Sequence, residues 1–199
     1  GVWDDLQPVK PWVKLAGELL PIALLAMNVQ VDFSAIHPAF GGLSFLSFAI
    51  TLLAAFWMVN AFNLIDGING LAGTIGFIAF TVSAFIVPEA APLCFSMAGA
   101  LLAFLFYNVR NPRIFMGDSG SLLLGYCMVF VSTLKPLAEF ALPSWLIVLP
   151  LVSVPLFDMA RVFVVRIAKG HHPFRADRNH LHHLLLETGC SHIKATGQL

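Results

Sequence analysis

Residues 43–73 read LSFLSFAITLLAAFWMVNAFNLIDGINGLAG, and the change of character inside this stretch decides the kind of molecule. No charged side chain occurs before Asp66, and an apolar run of about 20 residues is the length that crosses a ~30 Å hydrocarbon core as a helix. From Asn60 onward polar groups arrive at every third position, as Asn60, Asn63, Asp66 and Asn69. On a continuing helix these would share one face, directly at the end of the apolar span. Gly67, Gly70 and Gly73 point instead to a helix that breaks, with backbone approaching something closely. A carboxylate among amides suits a hydrated cation; an interhelical hydrogen-bond patch is the structural alternative.

The same apolar signal recurs along the chain. Of 199 residues, 58% are hydrophobic and 11% charged, with a mean hydropathy of +0.84. A soluble domain carries about 45–50% and ~25%, so a disulfide scaffold, a disordered tail and a nucleic-acid binder are poor fits. Six windows approach spanning length: 13–31, 43–62, 70–87, 91–107, 119–137 and 144–166. The expected fold is therefore all-α, a polytopic transmembrane bundle of about six spans, kinked at Pro21 and Pro155. Residues 1–168 form its core and 169–199 a His/Arg-rich loop or tail.

Charge assigns the sides. Segments 1–12, 63–69, 108–118 and 167–199, with the adjoining helix ends, hold ten of the eleven Lys and Arg residues; Lys135 is the exception. Basic loops stay cytoplasmic, which puts every polar cluster on the cytoplasmic face. Cys94, Cys127 and Cys190, odd in number, read as free thiols. The chain opens on Gly1 with no cleavable signal, as a trimmed sequence would.

Three further clusters lie on that face. Asp4 and Asp5 adjoin Lys10 and Lys14, and neighbouring carboxylates raise each other's pKa unless a cation intervenes; a solvated pre-helix turn is the plainer reading. Phe115 to Ser121 (FMGDSGS) places Asp118 and Ser119 at a helix N-terminus, where capping by Asp118 competes with ligand binding. Gly117 and Gly120 favour close approach of a ligand. In the tail, Arg175 and Arg178 beside His180, His182 and His183 suit a phosphate better than zinc. Asp158 and Arg161, three apart in the last window, are expected to form a structural ion pair. Trp57 reads as a packed or interfacial aromatic, and His37 as a loop residue.

The combination GVWDD at 1–5, Lys14 to Gly17, Asn60 to Gly73, Phe115 to Gly120 and Pro173 to His183 resembles the polyprenyl-phosphate N-acetylhexosamine-1-phosphate transferases, glycosyltransferase family 4. The Arg175-to-His183 run looks closer to the WecA/TagO branch, which uses UDP-GlcNAc. Two departures stand out: the chain matches only part of the family pattern, and Asn69 stands where the family commonly has Asp.

The resemblance implies a Mg²⁺-dependent enzyme, with Mn²⁺ as a substitute, in the bacterial inner membrane. It would move N-acetylglucosamine-1-phosphate from UDP-GlcNAc to undecaprenyl phosphate and release UMP, starting a lipopolysaccharide or teichoic acid. Asp4, Asp5 and Asp66 would be catalytic, Asp118 and Asp66 metal ligands. Lys14, Asn63, Asn69, Arg175, His180, His182 and His183 would bind substrate. Partners would be the UDP-sugar, the polyprenyl phosphate, the membrane and a second copy in a homodimer, with no nucleic acid. The alternatives are an inactive fragment of such an enzyme, or an ion-coupled transporter; the latter calls for ionisable groups near the midplane, whereas Asp66 and Asp118 fall at span ends.

Overall fold

The computed structural model describes residues 2–7, 9, 11–28, 44–109, 112–137, 142–170, 181, 184–185, 189 and 192–199, without the side chains of residues 3, 4, 11, 12, 28 and 44. All regular structure among them is helical. A short α1 (Val2–Leu6) precedes α2 (Pro11–Asn28) and α3 (Ser44–Ile65); α4 (Leu71–Ile86) turns through a 3₁₀ segment, Pro88–Ala90, into α5 (Ala91–Asn108). Then come α6 (Gly117–Thr133), α7 (Ser144–Leu151), α8 (Ser153–Ala168) and a final α9 (His192–Gln198).

The six apolar windows correspond to α2, α3, α4, α5, α6 and the α7–α8 pair. Among the described residues, two stretches, Phe45–Ile65 and Pro88–Asn108, are long and apolar enough to cross a membrane, and α7 with α8 makes a third if their 74° bend lies within one span. Large apolar side chains such as Leu53, Phe85, Leu102, Phe106 and Phe157 point outward. That is the expected surface of a bundle whose solvent is lipid.

Kinks are expected at Pro21 and at Pro155. Helix α2 runs through Pro21 unbroken. The second break lies at Val152, between α7 and α8, rather than at Pro155. Pro155 has no N–H to offer the Leu151 carbonyl and its ring clashes with it, so the helix fails one turn earlier, helped by Pro150.

Lipid tails are as apolar as leucine, so helices here associate through close packing rather than water exclusion. Gly125 on α6 shows how tight that packing is: a Cβ there would sit 2.6 Å from the Val59 Cα on α3. At Gly73 a Cβ would lie 2.9 Å from Leu105 Cδ2, and at Gly76 3.1 Å from Leu101 Cδ1. The close approach expected around Gly73 is therefore made by α5, not by a ligand. Phe62, Ile65, Phe80 and Met128 are fully buried between these helices.

Several expectations are met. Arg161 Nη2 donates to Asp158 Oδ1 at 3.0 Å, and the same oxygen accepts the Leu181 N–H at 2.9 Å, tying the start of the tail to α8. Trp57 packs edge-on against Phe163. Cys94 and Cys127 are free thiols; Cys190 and His37 lie outside the described residues.

Candidate active site

The start of α2, the end of α3 and the start of α6 converge at one end of the bundle. Lys14 in the first turn of α2 donates its ammonium to Asp118 Oδ2. It also reaches Asn63 Oδ1 at 3.4 Å. Asn63, in the last turn of α3, turns its amide toward α6, donating to Asp118 Oδ1 at 2.8 Å and to Ser121 Oγ at 3.0 Å. Ser121 in turn donates to the Gly117 carbonyl at 2.9 Å. Polar residues that look isolated at the ends of three apolar runs thus form one network.

Asp5 completes it from α1. Its Oδ1 accepts the Asp118 N–H at 2.9 Å, and its Oδ2 accepts the Ser119 N–H at 3.0 Å and the Ser119 hydroxyl. A helix N-terminus leaves its first N–H groups unsatisfied and carries partial positive charge; α6 finds its acceptor in another element. The capping role considered for Asp118 falls to Asp5, which leaves both Asp118 oxygens facing Lys14 and Asn63. The Asp4–Asp5 segment is helical rather than a solvated turn. Hydrogen bonds from the Ser119 hydroxyl, then its N–H, hold the Asp5 carboxyl below its ordinary pKa. Gly117 has φ +63°, and a Cβ there would meet Asp5 Oδ1 at 2.9 Å. The close approach that its small size permits is made by Asp5.

Beyond Ile65 the helix ends, so Asn60, Asn63, Asp66 and Asn69 do not share a continuous helical face. The chain turns through Asp66–Gly70, with Gly70 at φ +81°. Asn60 belongs to a different contact: its amide donates to Glu18 Oε2 and to the Phe56 carbonyl, both at 3.0 Å. Asp66 is partly buried beside Gly117, and its pKa is pushed up to about 7. Burial is the main cause, the Asp118 charge the second, and a hydrogen bond from the Gly117 backbone works against both. A cation between Asp66 and Asp118 would favour the charged form of Asp66. Asn69 is anchored through its carbonyl, which accepts from Thr196 on α9 at 2.9 Å; no contact among the described residues joins its side chain to Asp118.

An apolar groove of about 450 Å³ opens beside this network between α2, α3 and α6. Val13, Ile22, Val59, Leu122 and Leu123 line it, and Lys14 and Glu18 are its charged residues.

The family model described as Glycosyl transferase family 4 matches residues 1–135. The chain belongs to that family. Undecaprenyl-phosphate alpha-N-acetylglucosaminyl 1-phosphate transferase of Escherichia coli K12 is 33% identical over 149 residues, which cover 70% of this chain and 41% of that protein. Decaprenyl-phosphate N-acetylglucosaminephosphotransferase of Mycobacterium leprae is 32% identical over 222 residues, covering 96% and 56%, and the Mycolicibacterium smegmatis protein of the same name gives 32%, 98% and 55%. The chain spans about half the length of these relatives. Membership in this family agrees with the outward apolar faces of a bundle that lies in a membrane.

Of the site residues expected from sequence, Asp5, Lys14, Asn63 and Asp118 meet in one network of this glycosyl transferase family 4 chain, with Asp66 at its edge. The side chain of Asp4, and Arg175, His180, His182 and His183, lie outside the described residues. Among those described, no three His, Cys, Asp or Glu side chains group as a metal cage. Sequence reading missed Glu18 and Asn108, and gave Ser121 no role of its own. Glu18 had a signal, as the lone acid in its apolar run, four residues after Lys14. Asn108, which accepts the Gly70 N–H at 2.6 Å and donates to the Ile114 carbonyl at 2.8 Å, had none.

Proposed function

We propose that this bundle end transfers N-acetylglucosamine-1-phosphate from UDP-GlcNAc to a polyprenyl phosphate such as undecaprenyl phosphate, releasing UMP at the cytoplasmic face of the bacterial inner membrane. One observation carries this reading most: a Lys–Asp–Asn network sits at the mouth of an apolar groove. A polyprenyl tail needs the groove, and its phosphate needs the lysine. The activities in the relatives' names agree with it.

Phosphoryl transfer asks a protein chiefly for alignment and charge stabilisation. Lys14 neutralises the incoming lipid phosphate, moving from Asp118 toward it. Asn63 fixes Asp118 and orients the donor. Asp5 holds the first turn of α6, and with it Asp118, in place. Arg175, His180, His182 and His183 are assigned to the donor's diphosphate or sugar, and Asn69 to the donor's edge. Asp4 takes part in positioning the acceptor. Six spans, with α7 and α8 as the broken sixth, give the multi-pass topology that puts these residues on one side.

The donor set fits a hard divalent cation. Asp66 already feels the charge of Asp118, and Mg²⁺ uses few carboxylates, filling its shell with waters and phosphate oxygens. Those two residues would hold it. When bound it supplies positive charge to the nucleotide diphosphate.

The test is UMP release by membranes holding the full-length protein. Release is expected only with UDP-GlcNAc, polyprenyl phosphate and Mg²⁺ together, to cease on chelation, and to return with Mg²⁺ or Mn²⁺. No release with all three supplied would refute the assignment. Asn69→Asp should tighten the Mg²⁺ dependence if Asn69 borders the ion; an unchanged Mg²⁺ dependence would refute that placement.

A further inference from the structure

One carboxylate on the groove wall is left unused by this scheme. Glu18 is only 7% exposed and lies on the same face of α2 as Lys14, one helical turn deeper. Its Oε2 is held by the Asn60 amide at 3.0 Å. Its Oε1 is buried and has no hydrogen-bond partner among the described residues. Both Glu18 and Lys14 line the groove.

An acid inside a membrane helix is costly and marks function by default, and a buried acceptor with no donor carries the full desolvation penalty. The missing donor therefore has to come from whatever enters the groove. A hydrocarbon tail offers none, and a fully ionised phosphate would be repelled by the carboxylate. A monoprotonated phosphate monoester answers both conditions: its anionic oxygens face Lys14 while its P–O–H faces Glu18. The amide of Asn60 fixes the carboxylate without neutralising it, which keeps Oε1 basic.

We propose that Glu18 is the proton acceptor for the incoming lipid headgroup. The step is a simple transfer: the phosphate O–H bond breaks, the proton passes to Glu18 Oε1, and the monoanion becomes the dianion that Lys14 then holds. The dianion is the better nucleophile toward the donor's sugar-bearing phosphorus. After UMP leaves, the Glu18 carboxyl returns its proton to water at the groove mouth. This deepens the proposed transferase reading and rests on it.

The second ionisation of a phosphate monoester lies near pH 6, and that sets the test. Full-length wild type and Glu18→Gln, which is isosteric and keeps an oxygen for Asn60, are compared from pH 5 to pH 8 for UMP release with polyprenyl phosphate. The other groups facing Glu18 are Lys14 on its own helix and Asp118 and Tyr126 on α6. They are the same in both proteins, so the ratio of variant to wild type removes their common effect. Where the lipid is already a dianion the variant needs no base. Its relative rate is expected to be about one-tenth at pH 5, where roughly a tenth of the phosphate is dianionic, and to approach that of wild type at pH 8.

Thermal unfolding of both proteins in detergent reports folding separately. A loss that is the same at every pH, or no loss at pH 5, would overturn the proposal and leave the transferase reading standing. Wild type that releases no UMP at any pH would overturn that reading, and this inference with it.

Discussion

Helices α4 and α6 both begin just after or at a glycine with positive φ, Gly70 at +81° and Gly117 at +63°, and neither start has a side-chain cap of its own. Their free amides are satisfied from elsewhere in the chain, in opposite ways. At α4 the Gly70 N–H goes to Asn108, a neutral amide that is only 4% exposed and spends its other end on the Ile114 carbonyl. At α6 the Asp118 and Ser119 N–H groups go to Asp5, a charged and exposed carboxylate. A buried neutral staple holds two helices together and does no more. A charged clamp open to solvent fixes the first turn of α6 while leaving Asp118 and Lys14 accessible. The bundle uses one device for stability and the other for chemistry.

The comparison can be broken at either helix. Lys14→Met removes the one described cation that contacts Asp118, and should lower turnover about 10²–10³-fold, the scale of losing a preorganised electrostatic contact, while the melting temperature moves little. A loss of similar size in melting and turnover would make Lys14 a structural residue. Asn108→Ala strands the buried Gly70 N–H, at a cost of about 1–3 kcal/mol, and removes the bond to the Ile114 carbonyl. Stability in detergent should fall while turnover per folded molecule is kept; the reverse pattern would erase the distinction between the two helix starts. Thr196→Val removes one hydrogen bond to the Asn69 carbonyl and should cost only about 0.5–1.5 kcal/mol, with turnover unchanged. A large loss there would mean that α9 takes part in the site.

How much of this was legible follows from the physics of each signal. Apolar run length maps directly onto helices because lipid leaves the backbone few other options, so the windows and the helices agree to within a few residues. The break at Val152 was misplaced because proline acts on the carbonyl one turn before it. Lys14, Asn63 and Asp118 stood out as polar groups ending apolar runs. The Asp5 clamp did not, since 113 residues separate it from Asp118 and only tertiary packing joins them. Glu18 was legible as a lone acid in an apolar run and was passed over for the larger clusters, and Asn108 was missed because an amide at a helix end is ordinary until its partners are seen.

Asp118 joins the lysine, the amide and the α6 start, so it is the most direct point of attack on the central claim. Asp118→Asn in the full-length protein should be measured for single-turnover UMP release and thermal unfolding on the same preparation. Release slowed by about 10²-fold or more, with unfolding unchanged within a few degrees, is the expected result. Release at the wild-type rate from a folded Asp118→Asn protein would contradict the assignment of this bundle end as the site of transfer.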